Sequence, residues 1–136
     1  LGAIVAAARR GVEVRIVVPH RNDDRVVGAI SRAYYPELAR AGVRIFEYCG
    51  GLLHAKTIVA DDCVALIGSS NMDRRSLDLN FENNILLESD EIAGQLGRRQ
   101  QRWLEDAIEI DRDAATTRPF GRRLVDNLLT IIGAPF

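Results

Sequence analysis

Residues 12–18 (VEVRIVV) and 43–48 (VRIFEY) are alternating, β-branched runs separated by a stretch of helical period, and no feature narrows the fold more. Side chains alternate faces along a strand, so such runs read as strands. Between them Val26, Val27, Ile30, Tyr34, Leu38 and Ala41 recur at three- and four-residue spacing, the period of an α-helix. Asn22, Asp23 and Asp24 are candidate N-caps, and Gly42 is a stop. Pro36 lies inside this segment and should kink or split it. Two strands joined through a helix run parallel. Residues 1–10 (LGAIVAAARR), Ala-rich and ending before Gly11, predict a further helix ahead of the first strand.

Downstream, residues 53–60 predict a third strand, 64–67 a fourth and 83–88 (NNILLE) a fifth. Asp61-Asp62 makes a tight turn between the third and fourth, so that pair is antiparallel. Asp90 caps a helix carrying Ile92, Leu96, Trp103, Leu104 and Ile108, with Trp103 expected in the core. Residues 111–117 read as a charged linker. Pro119 then opens a last helix with Phe120, Leu124, Val125, Leu128, Leu129 and Ile132. Its Arg118, Arg122 and Arg123 suit anionic lipid, but a core helix with a basic exposed end is the simpler reading. Arg98, Arg99 and Arg102 read as a solvated helix face. The expected fold class is α/β: a mixed β-sheet flanked by helices on both faces. It forms a single domain over residues 1–136, with a helical tail from 90 to 136.

Composition excludes several classes. An apolar fraction of 47% supports a core and argues against disorder. A net charge of -1 gives no general attraction to nucleic acid or acidic lipid, so anion binding must come from local geometry. Cys49 and Cys63 are too few for a disulfide framework and read as reduced thiols. No apolar stretch approaches the roughly 20 residues that span a bilayer, and no signal peptide is visible. The chain begins at Leu1 without methionine, which suggests a piece of a longer polypeptide. His54, Cys49, Cys63 and Asp61 show no CxxC or HxxxH pairing, so no metal is expected. No cofactor is expected either.

The chemistry concentrates in His54-Ala55-Lys56, followed by Asp61 and by Gly68-Ser69-Ser70-Asn71. On a strand, residues i and i+2 share a face, so His54 and Lys56 are expected side by side. A neutral imidazole can attack phosphorus, and an imidazolium can protonate a leaving oxygen. A lone histidine on a strand would be ordinary; this one has company. Lys56 offers a compact positive charge to non-bridging phosphate oxygens, where charge builds in the transition state. Ser69 and Asn71 follow a glycine that permits a sharp turn, and both can donate to phosphate oxygens. Alone, GSSN is only a generic turn. Asp61 lies at an odd offset from His54 and is expected to fix the hairpin turn or pair with a nearby base. Glu82, in Asn80-Phe81-Glu82-Asn83, can hold one imidazole nitrogen and set the tautomer. His20 starts no HxK pattern, since Asn22 stands where lysine would be needed.

This spacing resembles the HKD motif of the phospholipase D superfamily, with the motif region over residues 48–75. The flanks are similar to the C-terminal half of bacterial cardiolipin synthases: Tyr34-Tyr35-Pro36-Glu37-Leu38, Gly50-Gly51-Leu52-Leu53, Met72-Asp73-Arg74-Arg75-Ser76-Leu77 and Leu79-Asn80-Phe81-Glu82. So is the end, Gly133-Ala134-Pro135-Phe136. The resemblance implies a phospholipase D-like fold, one half of a pseudo-dimer. It implies His54, Lys56, Asp61 and Glu82 as catalytic-motif residues, and Lys56, Ser69 and Asn71 as phosphate binders. It implies a metal-free transfer that makes cardiolipin from two phosphatidylglycerol molecules, releases glycerol and passes through a phosphohistidine. Such enzymes carry two HKD motifs and this chain carries one, so it would supply one half-site. The other half lies upstream or in a symmetry-mate chain. Whether His54 is nucleophile or general acid stays open, with analogy favouring the acid. Implied partners are anionic phospholipid and the cytoplasmic side of a bacterial membrane, with the anchor upstream and no nucleic acid. The alternatives are a phospholipase D-type phosphodiesterase or nuclease acting as a homodimer, and a non-catalytic scaffold.

Overall fold

The computed structural model describes residues 1–21, 32–71 and 81–116. The expected N-caps Asn22, Asp23 and Asp24, the helical residues Val26, Val27 and Ile30, the stretch Met72 to Asn80 and the whole last helix lie outside them. The chain divides into two compact units, Leu1–Leu52 with Ala107–Phe136, and Leu53–Asp106.

The first unit contains α1 (Gly2–Arg9), β1 (Arg15–Pro19), α2 (Tyr35–Ala41), β2 (Arg44–Tyr48), β6 (Ala107–Glu109) and α4 (Arg112–Thr116). Its sheet has the order β1-β2-β6. β1 and β2 run parallel, Ile16 beside Ile45, as the helical crossover requires. β6 returns antiparallel to β2, with Tyr48 opposite Ala107. The strand expected from residue 12 starts at Arg15 and includes Pro19, which an edge strand tolerates because no ladder needs its missing N–H. Pro36 sits in the first turn of α2, after Tyr34 breaks the preceding helical residues. Gly42 ends α2 at φ 95, a left-handed cap; Val43 N–H reaches Leu38 O at 3.0 Å. Val5, Ile16, Tyr35, Leu38, Ala39, Ala41, Val43, Ile45 and Ala115 pack as the core.

The second unit contains β3 (Thr57–Ala60), β4 (Val64–Gly68), β5 (Asn84–Glu88) and α3 (Asp90–Glu105). The order is β3-β4-β5, all antiparallel. Among the described residues the strands thus form two three-stranded sheets, one mixed and one antiparallel, within the α/β class. α3 packs on all three strands of the second sheet, with Ala65 and Ala93 fully buried.

Other expectations about the elements also need correction. β3 begins at Thr57, so His54 and Lys56 precede the ladder. Ser89, not Asp90, caps α3: its hydroxyl accepts from Ile92 N–H at 3.4 Å. Ile108 belongs to β6, not to a helix. Residues 112–116 are helical rather than linker, and Asp111 Oδ1 caps them by accepting from Ala114 N–H at 2.8 Å.

Candidate active site

In the second unit the end of β4 is where the motif residues gather. Gly68 N–H donates to Lys56 O at 3.0 Å, which ties the HAK segment to one side of β4. On the other side Ser69 N–H donates to Asn83 O at 3.0 Å, and Asn83 N–H donates to Ser69 Oγ at 3.0 Å. Ser69 Oγ also donates to Glu82 Oε2, and Asn84 Nδ2 donates to Ser70 Oγ at 2.7 Å. Lys56, Ser69 and Glu82 therefore share one end of the sheet.

Gly68 serves here through space. A Cβ would clash with the Asn84 side-chain oxygen and come within 2.7 Å of Asn83 O. The turn expected of it needs no positive φ; the close approach of the β5 head needs the missing side chain.

His54 is exposed, in the irregular segment just before β3. Lys56 Nζ donates to His54 O at 3.2 Å, a bond between the two polar residues of the HAK run. Asn71 is exposed. Asp61 lies at the other end of β3, five residues from Lys56, or about 16 Å at strand spacing. Asp61 and Asp62 take φ 51 and 54, and Cys63 N–H closes on Ala60 O at 3.2 Å. Two successive positive φ values are the mark of a primed hairpin turn, which suits the strand twist.

The sequence reading missed a cluster in the first unit. Glu47, 7% exposed, takes Arg32 Nε and the Tyr35 hydroxyl on Oε1, each at 3.2 Å. His20 Nδ1 lies 2.7 Å from its Oε2. Burial pushes the Glu47 carboxyl up and is the largest single influence, yet the bonds from His20, Arg32 and Tyr35 together hold it below the usual carboxylate range. A signal was present: Glu47 shares strand parity with Val43 and Ile45, both buried.

Trp103 is half-buried rather than in the core, with the Arg99 guanidinium 5.9 Å from its ring centroid. Arg98, Arg99 and Arg102 are exposed. Cys49 and Cys63 are free thiols. Among the described residues no group of three or more His, Cys, Asp or Glu is placed to hold a metal ion. None of their helices is long and apolar enough to cross a membrane.

Residues 1–103 match the family described as "Cardiolipin synthase, PLD-like domain". Cardiolipin synthase A of Cronobacter sakazakii is 40% identical over 128 residues, 94% of this chain and 26% of that protein. Cardiolipin synthase A of Yersinia pseudotuberculosis is 39% identical over the same shares. The chain thus spans about a quarter of the length of these relatives. Among solved structures, a phospholipase D family member, Nuc from Salmonella typhimurium, superposes with a TM-score of 0.70 at 26% identity. That match covers 80% of this chain and 71% of the other. The HAK run, the β4 end it is tied to and these likenesses lead to one family, and the chain belongs to it: the cardiolipin synthase PLD-like domains of the phospholipase D superfamily.

Proposed function

We propose that this chain supplies one half-site of a phosphatidyltransferase that makes cardiolipin from two phosphatidylglycerol molecules. The observation that carries the reading is the convergence of Lys56, Ser69 and Glu82 at one end of the second sheet, two residues from His54. In the first step a histidine nitrogen bonds to the phosphorus of one phosphatidylglycerol. The bond from phosphorus to the glycerol oxygen breaks, and a second histidine protonates that oxygen. In the second step the hydroxyl of another phosphatidylglycerol attacks phosphorus and the phosphorus–nitrogen bond breaks. The second histidine, now neutral, takes the hydroxyl proton. His54 fills one of these roles, with general acid favoured.

Lys56 and Asn71 hold the non-bridging oxygens, Ser69 adds a hydroxyl, and Glu82 orients the imidazole. Asp61 shapes the hairpin and takes no direct part. The second histidine comes from another HKD half, upstream or in a symmetry-mate chain. The reaction runs at the cytoplasmic face of a bacterial membrane.

His54→Ala tests this. With the second half-site supplied, cardiolipin formation from phosphatidylglycerol should fall by at least about a thousandfold, while the melting temperature holds. Retained turnover would sink the proposal. Acid-labile radiolabel trapped on His54 would make it the nucleophile; label on the other histidine would make it the acid.

A second reading has one observation in its favour. The chain covers 71% of the Nuc chain, so a unit of this size can make up most of a phospholipase D family member. On that reading two copies pair their His54 residues as a phosphodiesterase. Sedimentation showing a dimer, with phosphodiester hydrolysis and no transfer to alcohol, would select it.

A further inference from the structure

The Glu47 cluster has no part in the proposed transfer. Glu47 stands on β2 between Phe46 and Tyr48, and the core-facing residues of the same parity are Val43 and Ile45. A buried ionic group is rarely the most stabilising choice for such a position; an apolar side chain of similar volume often does as well or better. Where a chain keeps such a group against the local pattern, function is a common reason.

The geometry points outward from Glu47. Its Oε2 engages His20 Nδ1 at 2.7 Å, which leaves Nε2 with no partner among the described residues. Its Oε1 engages Arg32 Nε at 3.2 Å, while Arg32 Nη2 donates to His20 O at 3.1 Å. Arg32 Nη1 likewise has no partner among the described residues. The His20 and Arg32 side chains are 49% and 38% exposed, against 9% for Glu47. One buried carboxylate thus positions two half-exposed groups, a guanidinium that donates and an imidazole whose Nε2 donates when both ring nitrogens carry protons. The cluster sits at the carboxyl ends of the parallel strands: His20 follows Pro19 of β1, and its N–H donates to Tyr48 O at 3.0 Å. The carboxyl ends of parallel strands are where ligands collect in open α/β sheets.

We propose that His20 and Arg32, positioned by Glu47, form a binding site for a phosphate group. A guanidinium N–H and an imidazolium Nε2–H both donate to phosphate oxygens, and bonds to ionised partners are the strong ones. Glu47 balances Arg32, so protonation of His20 leaves one net positive charge toward the ligand. The phosphate belongs to a lipid headgroup or is free in solution. This site is independent of the role given to His54.

The chain has two histidines, so two imidazole Cε1–H resonances report on it. His54→Gln assigns them. The expected result is a saturable shift of the His20 resonance on titration with inorganic phosphate or with dihexanoyl phosphatidylglycerol. Tighter binding of the diester identifies the headgroup as the source, and tighter binding of inorganic phosphate the free ion; either ranking supports the site. His20→Asn keeps a donor near Nδ1 and removes Nε2. It should weaken binding about tenfold or more, the loss of one bond to a charged group, with the melting temperature within about 2 °C. No saturable shift at His20 in the wild-type chain overturns the proposal, whatever the variants do. Unchanged affinity in His20→Asn also overturns it and leaves the cluster as a structural tie.

Discussion

At the scale of single residues, two positions carry more structure than their chemistry suggests. Gly68 stands where β4 is clasped by Lys56 on one side and Asn83 on the other. Gly68→Ala should destabilise the chain by roughly 1–3 kcal/mol, because a methyl group there forces the β5 head away. Chemical denaturation would measure it, and an unchanged midpoint would refute the close approach. Glu47 makes the stability depend on pH. Its folded carboxyl sits below the ordinary value near 4.5, so its contribution is complete above that value. As pH falls below about 4.5 toward the folded value, the contribution is lost. Glu47→Gln should flatten the acid limb of a stability–pH curve; an equally steep limb in the variant would assign the slope elsewhere. The HAK and GSSN runs stood out only in combination, since GSSN alone reads as a generic turn. The partners of Glu47 were not. His20, Arg32 and Tyr35 lie 27, 15 and 12 residues away, and strand parity tells which side a carboxylate faces but not what meets it.

At the scale of elements, a five-residue strand shows its two-residue period and could be read, whereas a single helical turn or a three-residue strand could not. α1, β2, β4 and β5 fall within a residue or two of their expected bounds. β6 has three residues and α4 five, too few to show a period, and each depends on what it packs against. β3 starts late: none of Leu53 to Lys56 is a β-branched or aromatic strand former, and among the described residues only the Lys56 carbonyl of these four is bonded to β4. The caps are the elements' own test. Ser89→Ala should cost about 0.5–2 kcal/mol through the lost bond to Ile92 N–H. Asp90→Ala should cost less, since Asp90 contributes only charge to the first turn. Equal losses, read from thermal melts, would put the cap back at Asp90.

At the scale of the whole molecule, a net charge of -1 leaves no broad field for a polyanion. Affinity for double-stranded DNA at about 0.15 M salt should be weaker than about 0.1 mM, outside even the common non-specific range. Fluorescence anisotropy would show it, and micromolar binding would revive the nuclease alternative. The division into two units has a different consequence. The second unit is one continuous stretch, whereas the first is interrupted between Leu52 and Ala107. Ala115, 2% exposed in the first unit's core, and β6, which completes its sheet, come from beyond the interruption. During synthesis at about 5–20 residues per second, the opening stretch therefore waits several seconds for its closing strand. All of β3, β4, β5 and α3 emerges first, so on the ribosome the later-encoded unit is the first to have its whole chain in hand.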